Sequence, residues 1–198
     1  MQRVLSNIER IARPSPDEMA AFRAILQPRI LPPDALYARE GDICRTIAFV
    51  EKGCGRLFYD LDGWEVSKEF VFENGLLGSL VSFFTQRPSF VHVMTLTQTQ
   101  LLEANYDDVM TLCGHHPVWQ RFAQLLLQDQ LCRLEQREAS LLKDSPEDRY
   151  NRLLHEHPKV FRRVPPPYVA SYLGVTAETL DRYQRTNPAL SANPDPME

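Results

Sequence analysis

Val169-Ala170-Ser171-Tyr172-Leu173-Gly174-Val175-Thr176-Ala177-Glu178-Thr179-Leu180-Asp181-Arg182 reads as two short helices joined by a tight turn, a helix-turn-helix. Gly174 supplies the φ > 0 conformation such a turn requires, and Ala170 is small enough for two helices to cross closely. Leu173, Val175 and Leu180 provide the apolar contacts that set the angle between them. Thr176 is a good N-cap for the second helix, and Glu178 falls in its first turn, where the helix dipole favours a carboxylate. That helix is expected from about Ala177 to about Arg185. In a helix-turn-helix it enters the DNA major groove with its N-terminal residues at the base edges. The candidate DNA-contacting residues are Thr176, Ala177, Glu178, Asp181, Arg182 and Arg185. Arg182 suits bidentate contact with guanine, and Glu178 can accept a hydrogen bond from cytosine. Arg185, Arg149 and Tyr172 are candidates for the phosphate backbone. An ordinary helical hairpin is the competing explanation of the same pattern.

Upstream, Ser145-Pro146-Glu147-Asp148 opens a helix with a cap and a proline in its first turn, and Pro158 closes it. Pro165-Pro166-Pro167 then forms a rigid lead-in. Arg149-Tyr150, Leu153-Leu154, Pro158, Val164-Pro165, Val169 to Thr176 and Glu178-Thr179-Leu180 together resemble the DNA-binding domain of Crp/Fnr transcription regulators, particularly the branch common in Bacteroidetes. The resemblance implies an N-terminal cyclic-nucleotide-binding-type β-barrel and a long dimerisation helix before the DNA-binding domain.

The rest of the sequence fits both demands. Short β-type runs, Ile47 to Val50, Gly55 to Tyr59, Glu65 to Phe72, Phe90 to Leu96 and Gln100 to Ala104, are separated by turns at Glu40-Gly41-Asp42, Glu51-Lys52-Gly53 and Asp62-Gly63. A short amphipathic helix spans Pro16 to Leu26. From Pro117 to Lys143 neither Pro nor Gly recurs, and Leu127, Leu131, Leu134 and Leu141 lie at helical spacing. A helix of that length, about 40 Å, exceeds the internal needs of a small domain, so its spare face is expected to pair with a second copy. Packing of the stripe on the chain's own barrel is the alternative, and Trp119 and Phe122 are expected to do that.

Cyclic-nucleotide binders of the family use a cassette in which Gly-Glu-Leu leads, after a short helix, to an Arg-Ser or Arg-Thr pair. The Glu holds the ribose and the Arg the cyclic phosphate. Here Gly78-Ser79-Leu80 stands first, and the arginine position falls on Ser89 with Phe90 beside it. Both charged anchors are missing, a loss of about two to four orders of magnitude in affinity at roughly 1.5–3 kcal/mol for each charge-assisted hydrogen bond. Arg87 lies two residues away and would reach the phosphate only with the loop shifted. The degenerate pocket therefore comprises Gly78, Ser79, Leu80, Arg87, Ser89 and Phe90; an apolar ligand, or a filling of Phe83, Phe84 and Phe90 as plain core, are both open.

Cys44, Cys54, Cys113 and Cys132 are too dispersed for a zinc or iron–sulfur motif, and no nucleophile elbow, phosphate loop or His-Glu-x-x-His occurs, so neither enzyme activity, a cofactor nor a metal is expected. No apolar run approaches eighteen residues and no signal-peptide pattern follows Met1, which predicts a soluble, cytoplasmic protein without a membrane partner. Net charge is -4. Ser145 to Leu190 is only slightly basic, with seven Lys and Arg against five acids, which predicts modest non-specific DNA affinity and a shallow salt slope. Asp181 adds a negative charge beside the groove, and Thr186-Asn187-Pro188 leads into a tail expected to be disordered.

The sequence thus predicts an α+β chain with four parts. They are a double-stranded β-helix or jelly-roll barrel over 1–116, a dimerisation helix over 117–144, a winged-helix-type helix-turn-helix over 145–190 and a tail over 191–198. The expected function is a homodimeric, sequence-specific transcription regulator binding double-stranded DNA. RNA polymerase and an unidentified small-molecule effector are further partners in that scheme. The alternative is a ligand-binding or protein-interaction module of the same fold that has lost DNA binding.

Overall fold

The computed structural model describes residues 2–186. The expected tail, 191–198, lies outside them. Two helices, α1 (Gln2–Ala12) and α2 (Pro16–Ala24), lead into eight strands: β1 (Gln27–Leu31), β2 (Leu36–Ala38), β3 (Thr46–Lys52), β4 (Gly55–Leu61), β5 (Trp64–Val71), β6 (Leu76–Leu77), β7 (His92–Thr95) and β8 (Thr99–Asn105). A short helix, α3 (Leu80–Thr85), interrupts them between β6 and β7. They form two four-stranded antiparallel sheets, ordered β1-β8-β3-β6 and β2-β7-β4-β5. This is a jelly-roll arrangement, the kind of barrel the resemblance implied and within the sandwich-or-barrel class that the spaced turns predicted.

Strand alternation sorts the core into two layers. On β3, Ala48 and Val50 point between the sheets, where they meet Leu31, Leu57, Leu77, Val93 and Leu101. Phe49 points the other way and packs with Leu102 and Ala104 of β8 beneath α1, α2 and two further helices, α4 (Tyr106–His115) and α5 (Pro117–Lys143). That outer layer is why β3 is buried on both faces. Its centre is the stack of Trp119 on Phe22, centroids 4.5 Å apart, with the Trp119 indole N–H donating to the Glu18 carbonyl at 3.1 Å. Ser15 and Glu18 close a capping box on α2, and Pro16 occupies its first turn. The sequence reading missed α1, whose Val4, Leu5 and Ile8 are buried here and whose first N–H groups are capped by the Glu51 carboxylate.

The 27 residues of α5 have the bounds read from the sequence. Trp119 and Phe122 face the barrel, as expected, whereas Leu127, Leu131, Leu134 and Leu141 are exposed. After Asp144 the chain is helical: α6 (Pro146–Glu156), α7 (Pro158–Arg163), α8 (Pro166–Leu173) and α9 (Ala177–Thr186). Ser145 caps α6 with a capping box. Pro166 and Pro167, read as part of a lead-in, are instead the first turn of α8, where a missing N–H costs nothing. No strand forms between Ser145 and Thr186, so the unit is wingless over the described residues. Its core is Tyr150, Leu153, Leu154, Val160, Val164, Val169, Ala170, Leu173 and Leu180.

Candidate functional site

The turn between α8 and α9 has the chemistry its residues imply. Gly174 takes φ 69°, ψ 38°, and its N–H closes α8 on the carbonyls of Ala170 and Ser171. Thr176 Oγ1 accepts the Thr179 N–H at 3.2 Å, capping α9. Ala170, Leu173 and Leu180 are buried between the helices, and Val175 is half-buried. With Leu180 turned inward, Thr176, Ala177, Glu178, Asp181, Arg182 and Arg185 all lie exposed on or beside the outer face of α9. Asp181 and Arg185 form an i,i+4 ion pair at 2.7 Å. Each neutralises the other, so Arg182 is the guanidinium of this face without a carboxylate among the described residues.

The other two backbone candidates are placed elsewhere. Arg149 donates through Nε to the Leu173 carbonyl at 3.0 Å and through Nη1 to the Asp144 carbonyl at 2.8 Å, bracing the end of α8 against the start of α6. Tyr172 is half-buried between the barrel and α5: its ring lies 5.2 Å from that of Phe70 and 3.7 Å from the Arg137 guanidinium. Both residues thus make intramolecular contacts that the sequence reading did not assign to them. Local spacing does not signal the contacts of Tyr172 with Phe70 and Arg137 or of Arg149 with Leu173, because those partners are distant in sequence.

The first helix of the motif is docked on the outer face of β4 and β5. The Ser67 N–H donates to Ser171 Oγ at 3.1 Å, and the two hydroxyls are 2.9 Å apart. Beneath them Arg56, 0% exposed, is sandwiched between the rings of Phe58 and Tyr168 at 4.1 and 3.6 Å and paired with Glu65. At the far end Arg163 makes a bidentate pair with Glu73 at 2.7 and 2.8 Å and donates to the Gly53 carbonyl. Burial alone raises the pKa of Glu73, but Arg163 and the N–H groups of Glu73 and Gly53 outweigh it and hold it at about 2.

In the cassette, Gly78 has φ 151° and approaches Ile47 so closely that a Cβ would lie 3.1 Å from its Cγ2. Ser79 is buried at the start of α3 and makes no side-chain capping bond. Leu80 is half-buried. Ser89 turns its hydroxyl onto the backbone of Val91, accepting from its N–H at 3.1 Å and donating to its carbonyl at 2.7 Å, while its own backbone bonds Gly41 and Asp42. Arg87 is exposed, and Phe90, offered as core, is 69% exposed; Phe83 fills that role, fully buried. Ser82, which the sequence reading passed over, holds the loop by accepting the Cys44 N–H at 2.9 Å and donating to the Arg87 carbonyl at 2.5 Å. The barrel interior behind it is filled by Leu, Val and Ala side chains. Among the described residues no cluster of three metal-ligating side chains occurs, and no helix is long and apolar enough to cross a membrane.

Fold and site define a class: a jelly-roll barrel joined through a long helix to a helix-turn-helix unit. Residues 28–116 match the family model described as cyclic nucleotide-binding domain. Among solved structures the chain is similar to the c-di-GMP responsive global regulator CLP of Xanthomonas campestris, at 21% identity over 88% of this chain and 92% of that one, TM-score 0.69. It is similar also to FixK2 of Bradyrhizobium japonicum, at 14% identity over 88% and 90%, TM-score 0.72. A transcriptional regulator assigned to the crp/fnr family from Eubacterium rectale aligns at 13% identity over 88% and 83%, TM-score 0.68. These similarities establish a shared fold. No curated protein matches the chain in sequence.

Proposed function

We propose that this chain is a homodimeric, sequence-specific DNA-binding transcription regulator of Crp/Fnr type, acting in the cytoplasm and carrying a degenerate cyclic-nucleotide cassette. The observation that carries the reading is the turn: Gly174 in the left-handed region, Thr176 capping α9, and an exposed outer face presenting Glu178 and Arg182. Arg182 is the guanine reader in this proposal and Glu178 the cytosine reader. The exposed stripe of Leu127, Leu131, Leu134 and Leu141 supports pairing through α5, and two-fold symmetry would set the two α9 helices about 34 Å apart on a near-palindromic site. Ser89, at the position of the family's arginine and with its hydroxyl bonded to the backbone of Val91, supports a regulator that does not depend on cyclic AMP or cyclic GMP.

Selection of bound fragments from the source genome by the purified chain, beside Arg182→Ala, tests the reading. An inverted-repeat motif enriched by the wild type and lost in the variant is expected. No enrichment even at low salt would instead favour the interaction-module reading, for which the Asp181–Arg185 pair is the supporting observation, since it removes one cation from the groove-facing helix.

A further inference from the structure

We propose that the cleft bounded by α5, α6 and α8 binds a small organic phosphate. The cleft, about 410 Å³, is lined by four guanidiniums, those of Arg133, Arg137, Arg149 and Arg152, with Glu156 as its acid. In a chain of net charge -4 this is a concentration of positive charge. Arg152 is paired with Asp144 at 2.9 Å and Arg133 with Asp129 at 2.9 Å. Arg137 and Arg149, at the centre, have no carboxylate among the described residues. Arg137 donates to the Tyr172 carbonyl and lies 3.7 Å above its ring, and Arg149 bonds only the carbonyls of Leu173 and Asp144. Burial lowers the pKa of Arg137, and the neighbouring Arg149 charge lowers it further, so the two cations repel each other in a partly dry site.

A phosphate group relieves that repulsion better than a carboxylate, because it brings up to two charges and three acceptor oxygens that guanidinium forks engage in parallel. The space exceeds a bare ion and falls in the size range of small-ligand sites. An adjoining groove of about 390 Å³ shares Arg133, Arg137 and Tyr172; Leu126 and Phe70 line it, with Lys68 and Lys159 offset by Glu69 and Glu73, giving an organic moiety somewhere to lie. The 410 Å³ cleft shares no residue with the cassette at 78–90, and its walls are the elements that orient α9. The inference goes beyond the DNA-binding reading and stands without it.

Calorimetric titration of the full chain with pyrophosphate and with 5′-AMP, at ionic strength balanced with sodium chloride, tests it. Saturable binding of at least one is expected, weakened roughly 10- to 100-fold in Arg137→Met, as for loss of a charge-assisted pair. Arg152→Gln, at the rim, provides a second folded variant with a smaller loss, and unchanged apo melting curves establish that each variant folds. Two results overturn the proposal: no saturable binding of either probe by the wild type, or wild-type affinity in both folded variants. Arg137-dependent binding seen only with duplex DNA also overturns it, and assigns the cations to the DNA backbone.

Discussion

At the level of single residues, Asp181 is the one that weighs most against the proposed DNA contact of α9. Its pair with Arg185 is solvent-exposed on both sides and contributes little to folding. In the proposed regulator it would remove a cation from the groove-facing side of α9 while adding an anion to it. Asp181→Ala is therefore expected to raise DNA affinity severalfold with a melting temperature within about 1 °C of wild type, checked by fluorescence anisotropy and thermal denaturation. Arg182→Ala should act in the opposite sense, costing about 1–3 kcal/mol on the preferred site and much less on random DNA. An equal loss on both sequences would make Arg182 a phosphate contact. Gly174 was legible from sequence because one backbone requirement, φ > 0, selects one residue type. Arg149 and Tyr172 were not, because what holds them is 24 residues away in one case and, at Arg137, 35 in the other.

Among the elements, the ones with strong internal punctuation were read correctly. The 27-residue α5 starts on a proline and ends before a capped helix, and the five long strand runs lie between turn residues. What escaped notice was α1, α4, α7 and the strands β1, β2 and β6, segments whose structure depends on burial or pairing against partners elsewhere: Val4 and Ile8 under the barrel's outer layer, Leu112 in the same cluster, Val160 against the C-terminal core, and β1 along β8. The exposed leucines of α5 lie roughly a third of a turn around from the Trp119 and Phe122 face, too far to share its burial. Leu131→Arg, at a position 59% exposed in the single chain, should leave the monomer's melting curve nearly unchanged and convert a dimer to a monomer in light scattering. A dimer that survives the substitution would place the interface elsewhere. The attachment of α7 is titratable. Glu73 is held at about 2, below the usual carboxylate value, so its contribution is complete above about pH 5 and is lost as pH falls through 4 towards 2. Since Glu73 and Arg163 are partly exposed, that contribution is on the order of 1–2 kcal/mol after screening. Glu73→Gln should flatten the acid limb of stability measured between pH 5 and 2.

For the molecule as a whole, the α8 contact determines how a barrel and a helix-turn-helix unit move together. Beside the apolar contacts of Phe70 with Tyr172 and of Cys54 and Phe72 with the C-terminal core, three polar interactions hold the barrel to α7 and α8: the Ser67–Ser171 hydrogen bonds, the Arg56 stack between Phe58 and Tyr168, and the Glu73–Arg163 pair. The stack is the strongest of these on physical grounds. Its guanidinium is fully buried and Tyr168 covers it from the α8 side, so removing the ring loses the cation–π contact that joins α8 to the barrel and leaves Arg56 to Glu65, Phe58 and water. Tyr168→Ala should therefore loosen the docking by about 2 kcal/mol while leaving most of the C-terminal core in place, because Tyr168 flanks that core partly buried, whereas Tyr150, Leu153, Leu173 and Leu180 are buried within it. Hydrogen exchange separates the two effects: amides of β4, β5 and α8 should exchange faster, and those of α6 and the barrel interior should not. DNA binding by the same variant then shows what the docking does. A weaker operator complex would mean that the barrel holds α9 in its DNA-competent orientation, and a tighter one that undocking releases it. Unchanged exchange at β4 and β5 would show instead that the Glu73–Arg163 pair and the serine bonds suffice, and would shift control of the unit's orientation to the α7 end.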